Sequence, residues 1–128
     1  MASSHNTSFK RIYNAFFYSI AGLASAWKNE AAFRQESLVA IVLIPVAFWF
    51  GQSTNQIGLL ILPIFIVLIV ELLNSAVEAA IDRISDERHA LSKQAKDIAS
   101  AAVFLSLVLF AIIWCLVIFE RFYSSKIL

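Results

Sequence analysis

Two apolar runs dominate the chain. Ser37 to Val70 carries no charged residue, but the polar stretch Gly51-Gln52-Ser53-Thr54-Asn55-Gln56 divides it. Ile98 to Phe119 is a second run of 22 residues without a charge. A helix needs ~20 apolar residues to cross a bilayer, so the second run reads as a span by itself. The piece before the break is short, and a helix beginning near Ala32 completes it. The piece after the break starts near Ile57 and continues past Val70 to about Ile81, taking Glu71 and Glu78 with it. Three transmembrane helices follow, with spans expected at about 32–50, 57–82 and 97–120.

The first thirty residues follow another rhythm. Phe9, Ile12, Tyr13, Phe16, Phe17, Ile20, Leu23 and Trp27 recur at helical spacing, while Lys10, Arg11, Asn14 and Lys28 fall largely elsewhere. That predicts an amphipathic helix over about 8–30 lying in the membrane surface. The alternative is a helix packed against the bundle. The segment does not read as a signal peptide, because it lacks a continuous apolar core followed by a small-residue cleavage site.

Composition agrees with the pattern. Of 128 residues, 60% are hydrophobic and 15% charged. Soluble domains run near ~45–50% and ~25%. Mean hydropathy is +0.78. An ordinary soluble globule and a disordered chain are excluded. The net charge of +1 argues against a nucleic-acid-coating protein. Three glycines and two prolines leave little room for a turn-rich barrel, and a single cysteine, Cys115, excludes an intrachain disulfide. The expected fold is a single all-α integral membrane unit, residues 1–128, with three spans and a surface helix.

Charge placement orients it. Lys10, Arg11, Lys28, Arg34, Arg83, Arg88, Lys93 and Lys96 fall on one side, and only Arg121 and Lys126 on the other. The positive-inside rule then puts the N-terminus and the second loop in the cytoplasm and the C-terminus outside. Trp27, Trp49, Trp114 and Tyr123 read on structural grounds as interface anchors or packing groups. Pro45 and Pro63 lie inside spans, where neighbouring helices re-satisfy the freed carbonyls.

The chemistry is concentrated in Glu71-Leu-Leu-Asn74-Ser75-Ala-Val-Glu78-Ala-Ala-Ile-Asp82. At about 100° per residue, all five polar side chains share an arc of about 100°. A charged group at mid-bilayer costs about 3 kcal/mol on insertion scales. Asn and Ser alone would serve as interhelical glue. Several carboxylates on one stripe point instead to a hard cation or to proton chemistry. Mg²⁺ takes oxygen ligands, commonly one or two carboxylates together with substrate phosphates. Glu71 and Glu78 stand ~10 Å apart along the axis, too far to touch one atom. Glu30, Arg34 and Glu36 sit at the entry to the first span, and Glu87, Arg88, His89, Lys93, Lys96 and Asp97 precede the third. Glu30 and Arg34 are spaced i,i+4, which alone reads as a helix-surface pair. The sequence contains no GxxxxGK[ST] phosphate loop, no GxGxxG, no HRD or DFG element and no HExxH.

The stripe resembles the signature of the prokaryotic diacylglycerol kinases, ExxNxxxExxxD. The flanks are similar too: Asn29-Glu30-Ala-Ala-Phe33-Arg34-Gln35-Glu36, Ala95-Lys96-Asp97-Ile-Ala-Ser100-Ala101-Ala102-Val103, and Trp114-Cys115. The likeness runs from about Phe9 to Phe122 and is nearest to the Gram-negative branch. It implies a homotrimeric, multi-pass inner-membrane enzyme that moves the γ-phosphate of MgATP to diacylglycerol, giving phosphatidic acid. Carried over position by position, it implies Glu71 as general base, supported by Asn74, and Glu30 and Glu78 as Mg²⁺ ligands. Arg11, Tyr18, Glu87, Arg88, His89, Lys96 and Asp97 would contact ATP beside those two. Arg11, Glu36, Trp49, Glu71, Ser100 and Trp114 would meet the lipid. Phe17, Ala21, Gln94 and Ala99 depart from the family pattern and leave the carboxylate set intact. The alternatives are an undecaprenol kinase sharing the same stripe, a small cation or proton transporter, and an assembly protein without catalysis.

Overall fold

The computed structural model describes residues 4–84 and 89–127, and it is helical almost throughout. Four helices follow one another: α1 Ser4–Asn29, α2 Ala31–Phe50, α3 Thr54–Ile84 and α4 Ala90–Ile127. No strand occurs among the described residues. Three of the helices, α2, α3 and α4, are long and apolar enough to cross a membrane. The fold is therefore the all-α membrane type expected from the periodicity.

The middle helix organises the rest. α3 packs along α4 and along α2, and α1 packs on α2. Close approach comes from small residues: Ala40 and Ala47 on α2 are buried. Without a hydrophobic drive between helices in lipid, such small residues let backbones come near enough to gain dispersion contacts. Ala47, Leu60 and Val117 form the tightest cluster, ringed by Phe50, Ile61, Ile113 and Trp114. Pro63, also buried, lies one turn along α3 from Leu60. A helical proline donates no hydrogen bond and crowds the preceding turn. The Trp114 indole Nε1 donates to the Leu60 carbonyl at 3.1 Å, so α4 satisfies part of that turn. Residues such as Leu38, Ile41, Phe48, Leu62 and Leu105 face outward. In water this would be an aggregation surface. In lipid it is the ordinary exterior.

The two corners α1–α2 and α2–α3 are closed by specific partners. At the α1–α2 corner Glu30 is extended (φ −116°, ψ 107°) and breaks the helix for one residue. The Arg34 Nη1 atom reaches back to the carbonyls of Trp27 (2.8 Å) and Lys28 (3.0 Å). Arg34 thus caps the end of α1, where the helix dipole favours a cation. It is not a surface partner of Glu30, because Glu30 lies outside the helix that the i,i+4 spacing assumes. At the α2–α3 turn, Ser53 Oγ accepts the Gln56 N–H (3.1 Å) and Gln56 Oε1 accepts the Gln52 N–H (3.0 Å). These are capping bonds that start α3. Gln56 also donates to Glu120 Oε2 at 3.0 Å. Arg121 donates to the Phe50 carbonyl at 2.6 Å and lies over the Phe50 ring at 4.4 Å. The turn that divides the first apolar run is therefore tied to α4 twice.

Gly51 has a steric role in this turn. A Cβ there would stand 2.5 Å from Ile57 Cγ1 and 3.0 Å from the Ala47 carbonyl oxygen. At Gly58 a Cβ would meet nothing within 4 Å. Gly51→Ala is expected to destabilise the protein by about 1–3 kcal/mol, an ordinary overpacking cost. Gly58→Ala is expected to be neutral or slightly stabilising, since alanine is the better helix former. Thermal unfolding in detergent micelles reads both, and equal midpoints for the two variants would contradict the packing of this turn.

Candidate active site

The polar stripe of α3 begins inside the apolar span and runs out of it. Counting ~20 residues from Ile57 ends the hydrocarbon near residue 76. Glu71 falls inside that limit, while Glu78 and Asp82 fall beyond it. Glu71 is the charged residue most deeply placed among those described, keeping 5% of its surface exposed. Asn74, Ser75 and Glu78 are half-buried, and Asp82 is exposed. Asn74 Nδ2 lies 3.5 Å from Glu78 Oε1, one turn along the same face.

A groove of about 750 Å³ opens between this stripe and α1. Ser75, Glu78 and Asp82 form its α3 wall, Gly22, Ser25 and Asn29 its α1 wall, and Glu30 closes the corner. The α1 wall follows from amphipathicity. At about 100° per residue, Arg11, Tyr18, Gly22, Ser25 and Asn29 share a face of about 60°, opposite Ile20 and Trp27. Arg11 and Tyr18 are exposed on that face, nearer the start of α1 than the groove.

A second space of about 210 Å³ lies between α2, α3 and α4. Its lining is apolar, with Val39, Ile64, Leu107 and Phe110 among the residues, and Gln35 and Glu36 stand at its polar end. Glu71 lines neither space; along α3 it falls between Leu68, which lines the apolar one, and Leu72, which lines the groove. Its charge is opposed by those of Glu30 and Glu78, which line the groove. It is opposed as well by that of Glu36, which lines the apolar space. Glu71 and Glu78 on α3, Glu30 at the α1–α2 corner and Glu36 on α2 thus share one region of the bundle without converging on a single point. A like-charge cluster of this kind calls for cations or protons.

The donor set suits a hard cation and phosphate oxygens. Glu36 Oε2, Asn74 Oδ1 and Ser75 Oγ are buried without a hydrogen-bond partner among the described residues. Each such atom costs about 1–3 kcal/mol unless something satisfies it. Glu30 and Glu78 line one groove, and both offer oxygen. No three metal-binding side chains among the described residues converge on one point, so protein ligands alone do not complete a cation's shell. That is the arrangement expected where substrate phosphates supply the remaining ligands.

The residues before the third span take separate places. Lys96 Nζ pairs with Asp82 Oδ1 at 2.6 Å, crossing from α4 to the groove wall. Asp97 pairs with Lys93 on its own helix at 2.7 Å. Ser100 is exposed one turn beyond Lys96. His89 Nδ1 accepts the Leu91 N–H at 3.1 Å and so caps α4. Glu87 and Arg88 lie outside the described residues. Trp49 and Trp114 stand at the other end of the bundle: Trp49 is near Arg121, and Trp114 is level with Leu60, ~16 Å along α3 from Glu71. Sequence reasoning missed Asp82 as the partner of Lys96 and Arg34 as the cap of α1. The first needs the α3–α4 pairing. The second was within reach, because an arginine just after a one-residue helix break faces the carbonyls of the helix before it.

The family follows from comparison with known proteins. The model of the prokaryotic diacylglycerol kinase family matches residues 17–118. A diacylglycerol kinase of Pseudomonas aeruginosa is 51% identical over 112 residues, covering 88% of this chain and 91% of that one. The diacylglycerol kinase of Escherichia coli is 43% identical over 120 residues, covering 94% and 98%. That of Haemophilus influenzae is 47% identical over 108 residues, covering 84% and 92%. This chain belongs to the prokaryotic diacylglycerol kinase family.

The Arg34 cap holds α1 where it forms the groove wall. Arg34→Met removes two charge-assisted bonds, each worth about 1.5–3 kcal/mol. Amide hydrogen exchange over residues 25–30 is expected to rise tenfold or more (about 1.4 kcal/mol per decade). Unchanged exchange there would show that α1 is held by other means.

Proposed function

We propose that this protein phosphorylates diacylglycerol, transferring the γ-phosphate of MgATP to the lipid hydroxyl and yielding phosphatidic acid. One observation carries the reading beyond family membership: on α3 the buried Glu71 falls between Leu68, which lines the apolar space, and Leu72, which lines the groove that Glu30 and Glu78 share. The groove suits a polyphosphate with its cation. The apolar space suits an acyl chain. The hydroxyl of a diacylglycerol lies at the boundary of chain and headgroup, and Glu71 stands at that boundary.

In this reading Glu30 and Glu78 hold Mg²⁺ from the corner and from α3. When bound there, the ion would supply charge neutralisation to the transferring phosphoryl group. Glu71 accepts the proton of the lipid hydroxyl as its oxygen bonds to the γ-phosphorus. The bond from that phosphorus to the bridging oxygen breaks, and its electron pair leaves with ADP. Asn74 orients Glu78 along the stripe. Lys96 and Asp97, with Arg11, Tyr18 and the segment 87–89, meet the nucleotide. Glu36 and Ser100 meet the lipid near its polar end, and Trp49 and Trp114 border it deeper in the bilayer. Phosphoryl transfer asks mainly for positioning and charge stabilisation, so no backbone phosphate loop is needed.

The protein sits in the inner membrane, with its N-terminus and the segment joining α3 to α4 in the cytoplasm. This puts the groove on the side that contains ATP. A protomer of this size encloses little volume, and a homotrimer would close the open flank of the site with a neighbour's helices. Undecaprenol kinase remains the alternative within the same chemistry, because the stripe is shared and only the acceptor differs.

Glu71→Gln is expected to lower turnover by about 10²–10⁴-fold, the usual contribution of a general base. Oligomeric state should be unchanged, and the unfolding midpoint should be no lower, since a buried charge opposed by its neighbours is removed. A variant retaining most of its turnover would remove Glu71 as the base. Glu30→Ala and Glu78→Ala are each expected to raise the Mg²⁺ concentration needed for half-maximal activity. If Mg²⁺ titrations matched the parent protein in both, these carboxylates would not be the ligands.

A further inference from the structure

The groove has walls from α1 and α3, and α4 contributes none of them. Two cations, Lys93 and Lys96, stand in the first turns of α4. Their settings differ. Lys93 turns along its own helix to Asp97, at 2.7 Å. Lys96 crosses to α3, where its ammonium lies 2.6 Å from Asp82 Oδ1. Asp82 lines the groove together with Glu30 and Glu78. Among the described residues, Lys96 is thus the α4 cation tied to the groove wall.

We infer that Asp82 is a positioning residue: it anchors the Lys96 ammonium over the groove, so that the lysine meets the nucleotide phosphates already in place. The inference rests on the kinase reading above, which gives Lys96 its phosphate contact. Lysine is a point charge on a flexible four-carbon stem, with about 2 kcal/mol of rotamer entropy to lose on being fixed. A partner that holds it near its working position removes part of that cost before the nucleotide arrives. The ammonium has three donors. Asp82 engages one, and two remain for phosphate oxygens, so binding need not break the pair. The ion-pair partner of Asp82 is Lys96, so its action on the nucleotide runs through that lysine. Both partners are partly exposed, with 41% and 64% of their side-chain surface accessible for Lys96 and Asp82. The effect is accordingly modest, since exposed pairs are worth roughly 0.2–1 kcal/mol.

The test is equilibrium binding of Mg²⁺–ATP to the full-length protein in detergent–lipid micelles, for the parent, Asp82→Asn, Asp82→Glu, Lys96→Met and the Asp82→Asn/Lys96→Met double variant. Asp82→Asn is expected to weaken binding by about two- to fivefold. Asp82→Glu should restore most of it, since a carboxylate is again present. The double variant should bind no worse than Lys96→Met alone, because Asp82 has nothing left to position. Unchanged or tighter binding in Asp82→Asn would overturn the inference. So would losses that multiply in the double variant, which would mean that Asp82 acts on the ligand independently. If Lys96→Met itself bound normally, the nucleotide role of Lys96 would fall and this role with it. A weakened Lys96→Met beside a silent Asp82→Asn would overturn the positioning role alone.

Discussion

The structure depends on one unfavourable placement: carboxylates gathered in an apolar bundle. Glu71 is buried on α3, and the charges of Glu30, Glu36 and Glu78 all oppose it. Burying an uncompensated charge is among the costliest acts in protein folding. The groove beside α3 is walled by the polar face of α1, and Lys96 reaches from α4 to Asp82 on the same wall.

Rigidity at the helix ends makes this placement possible. Lipid-facing apolar surface is nearly indifferent to how helices are arranged, so directional bonds must choose. Arg34 ties α1 to the start of α2, and Arg121 ties the end of α2 to α4. Trp114 takes a carbonyl in the turn before Pro63. In each case a side-chain donor from one helix bonds backbone carbonyls of another, and for Arg34 and Arg121 these are carbonyls that a helix end leaves short of partners. The break at residues 51–56 works the same way: Ser53 and Gln56 cap α3, and Gln56 reaches on to Glu120.

Much of this was legible in the chain. The two uncharged runs, with the polar break between them, carry the three apolar helices, because length and hydropathy suffice for that inference. The five polar residues from Glu71 to Asp82 share a face for the simple reason that helical geometry is regular. What was not legible depends on which helix meets which. Arg34 and Glu30 have the spacing of a surface pair, but the extended backbone at Glu30 takes it out of the helix. The pairing of Lys96 with Asp82 spans 14 positions and requires α3 and α4 to lie side by side. Glu36 is grouped with Glu71 only through the family resemblance; that it shares Glu71's surroundings follows from α2 packing on α3, which the sequence does not display. His89, grouped in sequence with Glu87 and Arg88, is engaged in capping α4.

The most direct measurement is of label transfer from γ-labelled ATP by the purified protein in detergent–lipid micelles with Mg²⁺, with diacylglycerol and undecaprenol offered in parallel. Expected is Mg²⁺-dependent label in phosphatidic acid. Label in the polyprenol alone would leave the phosphoryl-transfer chemistry standing and change the acceptor. No label in either lipid, from well-folded protein, would contradict the central claim and leave the carboxylate cluster as an ion pathway or an assembly feature.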